Sequence, residues 1–336
     1  MSGREAFVEV RRGEVVESRH RVSAALLDEQ GQLLAHVGDP ELVTYMRSVA
    51  KPFQALPLVA EGAAAALKLS DAELAVCSAS HSGEPAHVEI VEGLLARIGC
   101  SEEDLACGPH APFHKPSAVA LRNGGREPSR VHNNCSGKHA GMLALAQALN
   151  ADTRGYRRAD HPVQIRIRRE IAFWTEQRPE TMKASIDGCG VMTYTVSISG
   201  LAGAYARLVA AADRDSDSPA GQVVRAMTNE PFYVGGSERL ATDLIEVTAG
   251  RVLAKDGAEG VFCLGDRERR LGLAVKIEDG QTRAVGPAVI EFLAQAGMLS
   301  DGELKALDRH RVGVVENSVG EMVGEIRPAF KIKRSE

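Results

Sequence analysis

Ser48-Val49-Ala50-Lys51 sets a hydroxyl and an amine three positions apart. On a helix, positions i and i+3 share a face, so the two side chains can meet. A lysine amine held neutral by burial or by a nearby cation takes a hydroxyl proton and turns the serine into a nucleophile for acyl transfer. The same spacing also arises by chance on a solvated helix face. A second hydroxyl-rich segment is Cys77-Ser78-Ala79-Ser80-His81-Ser82-Gly83. Its small polar residues end an apolar run and suit a place where backbone approaches a ligand. Ser82 also reads as the N-cap of the next helix, whereas Ser80 and His81 have no capping task.

Three further segments carry reactive side chains. His132-Asn133-Asn134-Cys135-Ser136-Gly137-Lys138-His139-Ala140-Gly141 opens a helical pattern. Free N–H groups and the positive end of the dipole at such a terminus hold a carboxylate and lower a thiol pKa. The segment reads alternatively as an elaborate cap. In Ile186-Asp187-Gly188-Cys189-Gly190 the flanking glycines allow close backbone approach. Cys135, His139 and Cys189 are acceptable zinc ligands, although their spacing is not that of a zinc finger. By pattern alone, two buried inert cysteines are the simpler account. Lys255-Asp256-Gly257-Ala258-Glu259-Gly260 reads as a lysine-glycine loop at the edge of the strand GVFCLG.

The elements that must position these residues follow from periodicity. AFVEVRR, VVESRH, VSAALLD and QLLAHV read as N-terminal strands. A helix starts near Ser48, with Pro52 tolerable in its first turn. Ser70-Asp71-Ala72-Glu73 is a capping box. Helices follow over 85–98, 135–150 and 162–177, and helical patterns continue to Ala249. The strand signal returns in GVFCLG and RLGLAVKIED, paired around a turn at Asp266. A helix over 287–296 and a last strand, GEMVGEIRP, complete the pattern. Strands at both ends and helices between them predict an α+β fold. We expect a single domain over 1–336, with the N- and C-terminal strands in one sheet and residues 133–250 mainly helical.

Composition narrows the function. The 336 residues are 44% hydrophobic and 25% charged, an ordinary globular balance. Forty basic against 45 acidic residues give a net charge of −5, which argues against a nucleic-acid partner. No apolar run reaches the ~18 residues of a membrane helix, and no secretory signal opens the chain. Six cysteines are too few for a disulfide framework, so a cytoplasmic location with reduced thiols is expected.

Taken in order, RSVAKPFQ (47–54), CSASHSGEPAHV (77–88), HNNCSGKHAGML (132–143), DGCGVMTY (187–194) and AKDGAEGVFC (254–263) resemble the serine-dependent asparaginase II family, the rhizobial-type or class 3 L-asparaginases. The resemblance implies a fold similar to serine β-lactamases and penicillin-binding proteins, with a central antiparallel sheet formed by both chain ends. It implies hydrolysis of L-asparagine to L-aspartate and ammonia. The TDGT-type segment of the threonine asparaginases is absent, and so is the Gly-Thr pair of the autoproteolytic type. It implies two Ser-Lys pairs: Ser48 as nucleophile with Lys51 as base, and Ser80 with Lys255. Arg47, Asn133, His139 and Asp187 match positions near the substrate. Cys135, Lys138 and Cys189 match a zinc site that would support substrate binding rather than chemistry. A homodimer is expected. Met192 stands where the family commonly has proline, which bears on the choice between asparagine and glutamine. The rival readings are a glutaminase or another amidohydrolase of the same fold and, from a different class, a cysteine-based metal-binding or redox-sensing protein.

Overall fold

The computed structural model describes residues 6–335. In chain order the strands are β1 (Phe7–Arg12), β2 (Val15–Asp28), β3 (Leu33–Val37), β4 (Val43–Tyr45), β5 (Ala184–Ile186), β6 (Met192–Ser197), β7 (Val252–Gly257), β8 (Val261–Asp266), β9 (Leu271–Ile277), β10 (Gly313–Glu316), β11 (Met322–Ala329) and β12 (Lys333–Arg334). The helices that matter for the site are α1 (Lys51–Ala60), α2 (Asp71–Cys77), α3 (Pro85–Arg97), α4 (Ser136–Ala148), α5 (Pro162–Trp174), α6 (Ile198–Arg214), α7 (Pro219–Asn229) and α8 (Val285–Gln295). No helix among the described residues is long and apolar enough to cross a membrane.

The chain forms two compact units. The first takes the described residues up to Val49, Val196–Arg207, and those from Asp243 onward. Its sheet runs β10-β11-β1-β2-β9-β8-β7, with β3 pairing both β2 and β12. Both chain ends therefore meet in one antiparallel sheet, and the architecture is α+β. β2 explains how. Its first half alternates in burial and pairs β1, while its second half is buried almost throughout and lies between β3 and β9. A strand covered on both faces needs a continuous apolar run, which Val22–Leu27 nearly supplies. The helix α8 packs on β8, β9 and β11. Gly272 of β9 lies so close to α6 that an added Cβ would fall 2.0 Å from the Ala202 carbonyl oxygen.

The second unit takes Ala50–Thr195 and Leu208–Thr242. It is built around α1, which touches α4, α5 and α7 and buries every residue from Lys51 to Leu58. A helix buried all round must be apolar all round. Here it is, except for Gln54 and the amine of Lys51. Residues 133–250 are mainly helical, with β5 and β6 between α5 and α6.

Three expectations are corrected. Lys255–Gly257 lie within β7 rather than in a loop, because the segment pairs β8 with Lys255 opposite Cys263. β5 and β6 occupy a stretch read as helical; the β-branched and aromatic run Thr193-Tyr194-Thr195-Val196 prevails there. The helix begins not at Ser48 but at Lys51, after a 3₁₀ turn over Arg47–Ala50.

Candidate active site

In the first unit, Arg47 and Ser48 open the 3₁₀ turn that precedes α1. Arg47 has φ of +51°, uncommon for a residue with a side chain, and such backbone tends to collect at functional sites. Its guanidinium lies 3.9 Å from the Glu259 carboxylate. Val49 is wholly buried, and its carbonyl accepts a 2.8 Å hydrogen bond from the Tyr205 hydroxyl. Lys255 is also wholly buried. Its amine donates to the Asp256 carbonyl at 2.8 Å and carboxylate at 3.0 Å.

In the second unit, Lys51 is 1% exposed and sits at the start of α1. Its Nζ donates to the Ala79 carbonyl at 2.5 Å and to Ser80 Oγ at 2.9 Å, with the Asn134 carbonyl at 3.4 Å. The structure therefore joins Lys51 to Ser80. Ser80 is 2% exposed, and its N–H bonds to the Val234 carbonyl. In its neutral form an amine so placed keeps a lone pair for a serine proton. The neighbouring His81 has a structural task. Its Nε2 bonds Ser136 Oγ at 2.8 Å and its Nδ1 accepts from the Gly83 N–H. Burial, followed by the charges of His87 and Lys51, holds its pKa well below the usual histidine range, so the ring is neutral.

The segment Asn133–His139 forms the other half of this unit's cluster. Asn133 braces the loop before it: Nδ2 donates to the Gly108 carbonyl and Oδ1 accepts from the Cys135 N–H. α4 begins at Ser136 and carries Lys138 and His139 inward. Gly137 is there because α4 crosses α2 closely; a Cβ would fall 2.3 Å from the Val76 carbonyl oxygen. Asp187 shapes the turn before Cys189, its Oδ1 accepting from the Gly188 N–H and its carbonyl from the Gly190 N–H.

Cys135, Lys138 and Cys189 come together. Lys138 Nζ donates to Cys189 Sγ at 2.9 Å. A hydrogen bond from Cys135, and then the Lys138 charge, hold the Cys189 thiol far below its ordinary pKa, whereas Cys135 is pushed well above it. The sulfur that accepts from Lys138 is therefore the more acidic of the two. Burial alone would lower the Lys138 pKa, but the two sulfurs raise it above the usual lysine range. His139 is wholly buried and pushed down to about 4, chiefly by burial. The Tyr156 hydroxyl accepts from the Ala106 N–H at 2.8 Å, so its own proton goes to His139 Nδ1 at 2.5 Å. The remaining ring hydrogen is then on Nε2, and His139 shares a side-chain hydrogen bond with Cys189. Tyr156, the Asn134 carbonyl and His110, whose Nε2 accepts from the Asn134 N–H at 2.9 Å, escaped the sequence reading. A lone tyrosine, a loop histidine and a backbone oxygen leave no spacing to detect.

Two soft sulfurs and an amine fit the zinc that the resemblance implies, provided Lys138 releases its proton. Among the described residues, no group of three or more His, Cys, Asp or Glu side chains is placed to hold an ion. The fit therefore depends on the lysine.

Comparison with known proteins identifies the class. The family described as L-asparaginase II matches residues 8–328. The chain belongs to that family and is an amidohydrolase. No curated protein matches. Among solved structures, the chain is similar to a β-lactamase from Mycobacterium bovis at 18% identity, covering 86% of this chain and 92% of that one with a TM-score of 0.41. It is similar to the Bacillus subtilis glutaminase YbgJ, solved as a covalent complex with 5-oxo-L-norleucine, at 13% identity, 83% and 89% coverage and a TM-score of 0.38. It is also similar to Mglu at 17% identity with a TM-score of 0.36, covering 83% of this chain but only 61% of Mglu. At these values the likenesses carry no argument about substrate.

Proposed function

We propose that the protein is an L-asparagine amidohydrolase that releases L-aspartate and ammonia through an acyl-enzyme on Ser48. What supports the reading is the family match over 8–328 together with the Ser48-x-x-Lys51 spacing, which sets a buried amine three positions after the serine. Ser48 Oγ attacks the side-chain amide carbon and Lys51 takes its proton. Backbone N–H groups, that of Ser48 among them, stabilise the oxyanion, each such donor contributing about 3 kcal/mol. The proton returns to the leaving nitrogen, ammonia departs, and water hydrolyses the β-aspartyl ester. Ser80 and Lys255 form the supporting pair. The Asp187 carboxylate suits the substrate ammonium, and Arg47 suits its carboxylate. Asn133 and His139 complete the substrate surround.

Cys135, Lys138 and Cys189 would hold zinc, which would supply a fixed positive charge for substrate binding. We further propose a single functional domain, a homodimer and a cytoplasmic location. The experiment is steady-state ammonia release from L-asparagine and L-glutamine, with wild type and Ser48→Ala. Wild type should prefer asparagine, and the variant should lose roughly 10⁴- to 10⁶-fold in kcat while remaining folded. Preference for glutamine would make the protein a glutaminase. Turnover surviving Ser48→Ala would remove the acyl-enzyme reading.

A further inference from the structure

The turn that carries Ser48 is short and strained, and a proline follows it. It spans only Arg47–Ala50. Arg47 enters it with positive φ, and the Val49 N–H reaches the Met46 carbonyl at a long 3.3 Å. In a 3₁₀ turn the Val49 carbonyl would accept from the N–H three residues on. That residue is Pro52, which has no N–H.

Tyr205 supplies the missing donor. It lies in α6, is wholly buried, and its hydroxyl donates to the Val49 carbonyl at 2.8 Å. Two other residues of the first unit lie near the same turn: Gly257 of β7, where an added Cβ would stand 3.2 Å from Val49 Cγ1, and Glu259, whose carboxylate is 3.9 Å from Arg47. Burial above all, then the charges of Cys263 and Asp256, keep the phenol protonated and hence a donor.

We propose that Tyr205 is a positioning residue for amide cleavage. By fixing the Val49 carbonyl, its hydroxyl orients the Val49–Ala50 peptide and with it the turn that presents the Ser48 hydroxyl and N–H. Tyr205 touches no substrate; it acts through Val49. The inference rests on reading Ser48 as the nucleophile. A small displacement of a nucleophile is costly, since about 1 Å of misplacement removes on the order of 100-fold in rate. Substrate binding, made by other groups, should change little.

The test compares Tyr205→Phe with two isosteric replacements at the same position, 4-aminophenylalanine and 4-methylphenylalanine. The first restores a donor; the second fills the volume without one. kcat and KM for L-asparagine are measured per active site, counted by covalent titration with an asparagine-derived diazoketone. Tyr205→Phe and the methyl form should lose roughly 10- to 100-fold in kcat with KM nearly unchanged, and the amino form should recover most of that loss. A purely structural role would lower the number of titratable sites and leave kcat per site intact, which would overturn the inference. So would a methyl form as active as wild type, or failure of both isosteric forms to fold. Ser48→Ala run alongside separates the two ideas. If it turns over, the nucleophile reading fails whatever Tyr205 does. If it is dead and the methyl form is not slowed, only the positioning inference fails.

Discussion

Lys138 is 3% exposed, and its amine donates to the Cys189 sulfur 2.9 Å away, whose acidity that charge raises. A buried cation needs such a partner, because removing one member of a buried pair strands the other. In metal-free protein, Cys189→Ala should therefore destabilise by about 3–5 kcal/mol in urea unfolding. Adding Lys138→Met should return most of the loss, since an apolar chain replaces the stranded amine. A double variant no more stable than the single would show that the lysine charge is relieved in another way. The same residues test the metal. Purified wild type should carry up to one zinc per chain, and Cys135→Ser and Cys189→Ser should each lose it. Both variants should raise KM for asparagine more than they lower kcat. Unchanged asparagine affinity in metal-free protein would make the ion structural or adventitious.

At the scale of elements, α2 shows how caps and charge hold the helices around Lys51. Ser70 accepts from the Glu73 N–H, the Glu73 carboxylate accepts from the Ser70 N–H at 2.8 Å, and Arg97 at the end of α3 pairs with that carboxylate. Burial alone would raise the Glu73 pKa. The Ser70 N–H and the Arg97 guanidinium outweigh it, and the pKa falls below 4.5. A carboxylate depressed by folding adds stability above its unfolded pKa, and that stability is lost as pH falls through the folded value. Glu73→Gln keeps the capping geometry and removes the charge. The variant should be about 1 kcal/mol less stable at pH 7, and the difference should shrink below pH 4.5 as the wild-type carboxyl protonates. Urea unfolding from pH 7 downward reads this, and a gap that does not narrow as pH falls would contradict it. The capping box was legible because both of its hydrogen bonds are local. β5, β6 and β7 were not, because pairing between distant strands decided them. Lys255 reads as a loop residue until Cys263 lies opposite it. Gly137 and Gly272 stand out in the sequence, but the reason for each is a carbonyl of another helix.

At the scale of the molecule, the sequence announced a sheet built from both chain ends, since strand patterns cluster there and helical ones between. The division into two compact units was not legible. The chain passes from one to the other between Val49 and Ala50, in the middle of the Ser48-x-x-Lys51 step and with no change of composition. Family membership and amidohydrolase chemistry do not by themselves say which serine carries the acyl group, and the contact within the second unit is Lys51 with Ser80. The most direct measurement is peptide mapping by mass spectrometry after incubation with the asparagine-derived diazoketone. The account predicts one covalent adduct, on Ser48, absent from Ser48→Ala protein. An adduct on Ser80, or on Cys135 or Cys189, would contradict it.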